Sequence, residues 1–476
     1  MAKSFLERIV ESFESRPDKI AMRIVGVDGS EHTFGEMLRE VRSVASHLRD
    51  RGIEPGDRVV LIGDNHPNWA LAYLGTLFCG AVIVPLDPHG EIETMTNFLE
   101  DSEAKLAFID DGQVERFADI STRLGREVPS VVWSGSEAAA SDGEFSSWLQ
   151  ATADAGSQFP ISVPDTEIAV LMYTSGTTGK PKGVPLTHGN ILAEMEAANY
   201  VLDLNDKEKI LSLLPLFHAY LQVINLWVAT VYGCEAGYLK ELTPAELSVA
   251  MKEFKPTILT TVPRLWYLFH KKIFDAIGAK PAAARKVING LLKLNGALRS
   301  SIGVNLGPKL FKEVHAGFGG RLKTTISAGS RFDEDVAIDF HRLGFTILQG
   351  YGLTETSGAA TATHVEDNRI GSVGTPMHGA EIKIDSPDKD GIGEVLIRGP
   401  MVFSGYYHNP EATAEAFTDD GWFRSGDLGK FDKGHLYIVG RAKDVIVLPS
   451  GKNVHPEDIE VHYLKCPLVA ELAVIG

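Results

Sequence analysis

The sequence predicts an α/β protein: a large N-terminal domain of two αβ subdomains with helix-covered parallel sheets plus a β-rich subdomain, and then the start of a small α+β domain. Three observations carry this. Short apolar runs bounded by turn residues alternate with helical spacing through the first 160 residues. The alternation resumes after a Gly/Thr/Lys-rich loop near 175 and continues to about 350. Beyond Gly371 the helices give way to short strands with frequent turns. Strands alternating with helices form parallel sheets covered on both faces.

In order, HTFGEMLREVRSVASHLRDRG (32–52) has helical spacing, with Thr33 near its start and Gly52 as a stop. DRVVLIGDN (57–65) reads as a buried strand. WALAYLGTLFCGAVIVPLD (69–87) reads as a helix, Gly80 and a second strand. KLAFIDD (105–111) and SVVWSG (130–135) continue the pattern. Gly135–Gly156 reads as a soft connector. IAVLMYT, from Ile168, is a strand. Helices dominate 187–300, with strands ILSLLP and CEAGYL between them, and Leu221–Gly233 is read as a buried helix. A further αβ block covers 308–350.

The net charge of −17 argues against a general nucleic-acid binder, whose surface must be basic. A local basic loop can still hold a nucleotide. Cys79, Cys234 and Cys466 lie far apart without a CxxC pair, so neither a disulfide framework nor a zinc site is expected. The N-terminus is charged and amphipathic rather than a signal peptide. No run of 18 apolar residues occurs. A reducing, cytoplasmic location is expected, with peripheral membrane contact left open.

The strongest chemical signal is YTSGTTGKPKGV (173–184). Gly176 and Gly179 permit tight backbone turns whose N–H groups can converge on an anion. Thr174, Ser175, Thr177 and Thr178 add hydroxyl donors, and Lys180 and Lys182 add charge. Such a loop suits a polyphosphate. It is not a Walker A loop, because the glycines are too close and Pro181 follows Lys180. No GxSxG elbow and no complete GxGxxG after a strand are present, which disfavours a serine hydrolase and a Rossmann dehydrogenase.

This loop resembles the phosphate-loop signature of the adenylate-forming superfamily: acyl-CoA synthetases, luciferases and adenylation domains. Further segments agree in the family's order. QGYGLTE (349–355) can turn its backbone beside a ligand at Gln349, Gly350 and Gly352. There Tyr351 offers a flat face to a base, Thr354 a donor to phosphate, and Glu355 a carboxylate for Mg²⁺. WFRSGDLG (422–429) places Asp427 where the family's aspartate accepts both ribose hydroxyls. GRAKDVI (440–446) resembles the hinge, with Arg441 on ribose or phosphate and Lys443 at the pivot. SGKNV (450–454), with Gly451 and Lys452, resembles the loop that approaches CoA. SAGSR (327–331) resembles the adenine-side strand end, with Ala328, Gly329 and Ser330; Ser330 and Arg331 depart from the usual small residue and proline. His218 in LPLFHAY resembles the family histidine near the acyl carboxylate.

The resemblance covers essentially the whole chain and implies a two-step reaction with ATP, Mg²⁺ and CoA. A carboxylate attacks the α-phosphate to give acyl-AMP, and a thiol then displaces AMP. The VPRLW element, its basic helical spacer and the following GGRL are most like long-chain fatty acyl-CoA ligases. Val223, Val262 and Trp266 are candidates for an acyl pocket, or else core. A gating Trp found four residues after the His in some bacterial ligases is Gln222 here.

Expected domains are 1–439, with the β-rich part at about 371–439, a hinge at 440–444, and an incomplete C-terminal domain at 445–476. The family's second catalytic lysine, in that domain, is absent, so a truncated chain with slow adenylation and little thioester formation is expected. Partners are small molecules (fatty acid, ATP, CoA), with a homodimer left open. Alternatives are loading of acyl or amino-acid groups onto a carrier protein, and a nucleotide- or acyl-binding module with little catalysis.

Overall fold

The computed structural model describes residues 3–27, 29–133, 144–150, 158–174 and 182–447, then 453–454, 456, 459–460, 463, 469 and 472–475. The chain separates into two compact units. One comprises 1–246, 354–358 and 400–415, and the other 247–353, 359–399 and 416–476.

Unit one is built on a six-stranded sheet. Its order is Ser130–Trp133, Leu106–Asp110, Arg58–Ile62, Val82–Leu86, Ile168–Thr174, Lys182–Thr187. All neighbours are parallel except the last pair, an antiparallel hairpin whose register sets Thr174 opposite Lys182. Val60, Ile62, Val84, Ile109 and Leu171 form its core. A second strand group runs Lys209–Ser212, Glu235–Tyr238, Ile20–Ile24, His32–Thr33.

The helices begin where their caps dictate. Thr33 and Glu36 make a capping box for Phe34–Asp50, and Gly52 follows in the left-handed region (φ +79°). The Pro67–Phe78 helix is apolar on nearly every side and buried apart from Asn68, as such a helix must be. Its cap is His66, whose Nδ1 accepts the Asn68 N–H. The Leu221–Gly233 stretch is buried as its composition requires, but its centre, Val223–Val228, is π-helical. Within the segment read as a soft connector, Glu144–Gln150 is a helix that buries Phe145 and Trp148, two aromatics whose apolar weight outvotes the surrounding Ser and Ala.

Unit two carries Ile258–Thr261, Thr324–Ser327 and Ile347–Tyr351 as parallel strands, extended by the antiparallel Thr361–Ala362 and Thr375–Pro376. The β-rich texture after Gly371 is a four-stranded antiparallel sheet, Glu381–Asp385, Gly393–Arg398, Phe423–Asp432, His435–Arg441. Trp266, Phe318, Phe340 and Phe345 pack as an aromatic core under the long helices Pro263–Gly278 and Ala282–Ile302. Among the described residues no helix is long and apolar enough to cross a membrane.

Candidate functional site

In unit one, the hairpin ending at Thr174 and resuming at Lys182 presents the ends of the Gly/Thr/Lys loop. Ser175, Gly176, Thr177, Thr178, Gly179 and Lys180 lie outside the described residues, as do Gly451 and Lys452. Gly183 has no room for a side chain: a Cβ there would stand 2.9 Å from Tyr407 Cβ. The close approach is fixed by the Tyr407 N–H, which donates to Gly183 O at 2.8 Å. The neighbouring Tyr406 is thereby held against the hairpin, and the Lys182 ammonium lies 5.0 Å from the centre of its ring.

The same Tyr406 donates its hydroxyl to Glu355 Oε1 at 2.8 Å. Glu355 is buried in a short 3₁₀ turn, Thr354–Thr356, whose carbonyl at Glu355 accepts the Phe403 N–H at 2.8 Å. Burial first, and the Glu355 charge second, push the Tyr406 phenol far above its ordinary pKa, so it stays a donor at any physiological pH. One tyrosine therefore orients both a cation and a carboxylate. Sequence reasoning passed Tyr406 over. It sits in a turn-rich SGYYHNP segment, 51 residues from Glu355 along the chain, and only the fold brings the two together.

His218 precedes the helical turn Ala219–Gln222, and its carbonyl accepts the Leu221 and Gln222 N–H groups. The residue is exposed, and its ring lies 4.2 Å from that of Phe217. Desolvation lowers its pKa below the ordinary value, with Asp87 opposing, so the imidazole is neutral at pH 7. Gln222 is fully buried in a polar chain: Trp227 Nε1–H donates to Tyr73 OH (3.0 Å), which donates to Gln222 Oε1 (2.9 Å). Val223 is buried beside Gly358, where a Cβ would stand 2.9 Å from Val223 Cγ2.

In unit two, Gln349, Gly350 and Tyr351 end a strand, and Gly352 follows. Asp427 and Arg441 face each other across antiparallel strands. The Tyr351 hydroxyl donates to Asp427 Oδ2 at 2.7 Å, and Arg441 Nε to Oδ1 at 3.1 Å. The Ser425 hydroxyl accepts the Asp427 N–H. Burial raises the Asp427 pKa, while Tyr351 and Arg441 pull it back; burial and then Asp427 raise that of Tyr351. Each Asp427 oxygen keeps a second lone pair for a further donor. The Arg441 side chain is about half exposed, and Lys443, in the turn just beyond, is exposed.

Ala328 and Gly329 follow the strand Thr324–Ser327, with Gly329 in the left-handed region (φ +90°) and Ser330 exposed. Val262 lies 3.7 Å from where a Gly329 Cβ would be. Trp266 is buried, gives its indole N–H to Thr261 Oγ1 (2.8 Å), stacks on Phe318 and meets Phe340 edge-on.

For Mg²⁺ the donor chemistry fits. Among the described residues no group of three His, Cys, Asp or Glu could cage a metal. Mg²⁺ needs no such cage, being held by one or two carboxylates together with phosphate and water oxygens. Glu355, oriented by Tyr406, has the donor chemistry that would serve there.

A family model described as "AMP-binding enzyme" matches residues 9–407. The chain is 31% identical over 497 residues to the Mycobacterium bovis protein named long-chain-fatty-acid–CoA ligase FadD15, covering 98% of this chain and 79% of that one. It is 28% identical over 518 residues to an Arabidopsis thaliana chloroplastic protein named long-chain-fatty-acid–[acyl-carrier-protein] ligase AEE15, covering 93% and 70%. Among solved structures, the ATP-bound MatB of Rhodopseudomonas palustris superposes with a TM-score of 0.79 at 25% identity, over 100% of this chain and 86% of that one. With the matched span taking in the hairpin, the Glu355 turn and the strand ending at Tyr351, the chain belongs to the AMP-binding enzyme family.

Proposed function

We propose that this protein is an acid–thiol ligase that activates a medium- to long-chain fatty acid with ATP, giving acyl-AMP and pyrophosphate, and passes the acyl group to CoA. The observation that carries this is the single tyrosine, Tyr406, holding Lys182 and Glu355. The named activity of the FadD15 relative supports the acid class and the acceptor. The carrier-protein ligase named among the relatives keeps a carrier thiol as the second reading of the acceptor.

A carboxylate oxygen attacks the α-phosphorus, the bond to the bridging oxygen breaks, and pyrophosphate leaves. Two anions must meet, so fixed positive charge does most of the work. Lys182, with Thr174 and the loop through Lys180, serves the phosphates. Thr354 donates to the α-phosphate. Mg²⁺ when bound, with Glu355 as its protein ligand, neutralises phosphate charge. The neutral His218 donates its N–H to the acid's carboxylate and holds it for attack. Asp427 accepts the ribose hydroxyls, Arg441 supports ribose or phosphate, Tyr351 lies against the base, and Ala328, Gly329 and Ser330 line its edge with Gln349, Gly350 and Gly352. Val223 and Val262 line the alkyl chain. In the second step the CoA sulfur attacks the acyl carbon, AMP leaves, and the thiol proton passes to solvent. Rotation about the 440–444 hinge at Lys443 exchanges the two steps and brings Gly451 and Lys452 toward CoA.

Acid-dependent release of pyrophosphate from Mg-ATP tests the reading. Lys182→Ala and Glu355→Gln are each expected to lower it by about 10²–10³-fold. Release that ignores both substitutions would remove these residues from the mechanism.

A further inference from the structure

The segment 264–312 carries ten Lys and Arg against a single acid, Asp275, in a chain whose net charge is −17. Its centre is the helix Ala282–Ile302. One face of that helix is firmly anchored. Asn295 Nδ2 donates to Arg342 O, Asn295 Oδ1 accepts the Leu306 N–H, and Arg299 gives its guanidinium to the carbonyls of His341 and Phe345. Asn295 and Gly296 are buried on this side.

A flank of the helix beside that face is bare. Val287 is 62% exposed, Leu294 50% and Ile302 65%. Val287 and Leu294 are seven apart, with Leu291 and Leu298 half-buried between and beyond them, so they form one stripe along the helix. Lys286 and Lys293, also seven apart, run beside the stripe. With Arg285, Asn289 and Gly290 they border a shallow open groove. On the preceding helix, Leu268 is likewise exposed.

An exposed apolar stripe flanked by lysines is the pattern of a helix lying in a membrane interface, its apolar side chains among acyl chains and its cations among headgroups. Charge complementarity decides the occupant. An acidic protein is repelled by an anionic bilayer except through a face of the opposite sign, and Arg285, Lys286 and Lys293 put positive charge along one side of this helix. An acidic protein partner would match the lysines but leave Val287 and Leu294 without apolar cover. We infer that the helix Ala282–Ile302 docks this protein on the anionic surface of a phospholipid bilayer.

The test is sedimentation of the whole protein with vesicles of phosphatidylcholine, alone or containing about one-third phosphatidylglycerol. Binding is expected to the anionic vesicles only, weakening as salt screens the lysines. The pair Lys286→Glu with Lys293→Glu is expected to weaken it by about tenfold or more. The pair Val287→Asn with Leu294→Asn is expected to weaken it by a similar factor, about tenfold. All four side chains are solvent-facing, and far-UV circular dichroism with unchanged ATP binding confirms intact folding. No binding to anionic vesicles, or binding that neither pair alters, would overturn the inference. So would loss with the charge pair alone, which assigns the face to an acidic protein instead. The readout is binding rather than turnover, so its failure and that of the ligase reading are separable.

Discussion

Tyr406 is the residue on which the proposed phosphate-side chemistry turns. Its hydroxyl is the donor that fixes Glu355, and its ring faces the Lys182 ammonium. Tyr406→Phe keeps the ring and removes the hydrogen bond. Acid-dependent pyrophosphate release is expected to fall about tenfold, the effect of one lost bond to a buried carboxylate, with a raised Mg²⁺ requirement. Tyr406→Ala removes both interactions and should approach the loss seen with Lys182→Ala. Equal rates for wild type and Tyr406→Phe would show that Glu355 needs no such positioning. Two histidines set a second residue-scale expectation. Burial holds His188 and His66 down to about 4. The unfolded chain, with ordinary imidazoles near 6.5, binds more protons between those values, so stability is full above about pH 6.5 and falls as pH drops toward 4. His188, buried without a compensating charge, accounts for about 2 kcal/mol at pH 5. His66 adds a local cause, since protonating Nδ1 abolishes its cap on the Pro67–Phe78 helix. Urea midpoints between pH 7 and 5 check this; His188→Gln should flatten the slope.

At the scale of elements, most of the framework was legible because its signals are local. The helix start at Thr33, the stop at Gly52 and the apolar runs at 58–62, 82–86 and 106–110 are each written in a few adjacent residues. The strand Ile168–Thr174 was legible in the same way, running into a Gly/Thr/Lys loop, but its antiparallel partner Lys182–Thr187 was not. What the sequence hid depends on tertiary packing. The π-helical turn at Val223–Val228 has no composition of its own, and the Glu144–Gln150 helix is declared only by where Phe145 and Trp148 go. Trp266 read equally well as pocket or core, and its packing against Phe340 and its bond to Thr261 are not written in its neighbours. The Asp427–Tyr351 bond joins residues 76 apart and was visible only as two separate motifs. Gly374 gives the element-scale test. It sits at φ +92°, and an added Cβ would lie 1.9 Å from the Ala362 carbonyl carbon. Gly374→Ala should cost about 3 kcal/mol or more, because the clash is with backbone in a strand pair that cannot give way. A urea midpoint unchanged from wild type would show that the Thr361–Ala362 and Thr375–Pro376 pairing is looser than described.

Over the whole molecule, charge and chemistry are divided between different parts of the chain. The protein is acidic overall, and the groups proposed to meet an anionic nucleotide are few: the Lys182 ammonium and the Arg441 guanidinium among them. Its main excess of basic residues lies elsewhere, on the 264–312 segment, where it serves a surface rather than a substrate. Substitutions there should leave ATP binding unchanged, whereas those at Asp427 should weaken it. The central claim is that this protein forms a mixed anhydride between a fatty acid and AMP. The most direct measurement is mass-spectrometric detection of acyl-AMP after incubating the protein with Mg-ATP and acids from acetate to palmitate, with and without CoA. The expected result is acyl-AMP from medium- and long-chain acids, matched by pyrophosphate, and absent with Lys182→Ala. ATP binding without acyl-AMP from any acid, or cleavage of ATP to ADP and phosphate, would contradict it.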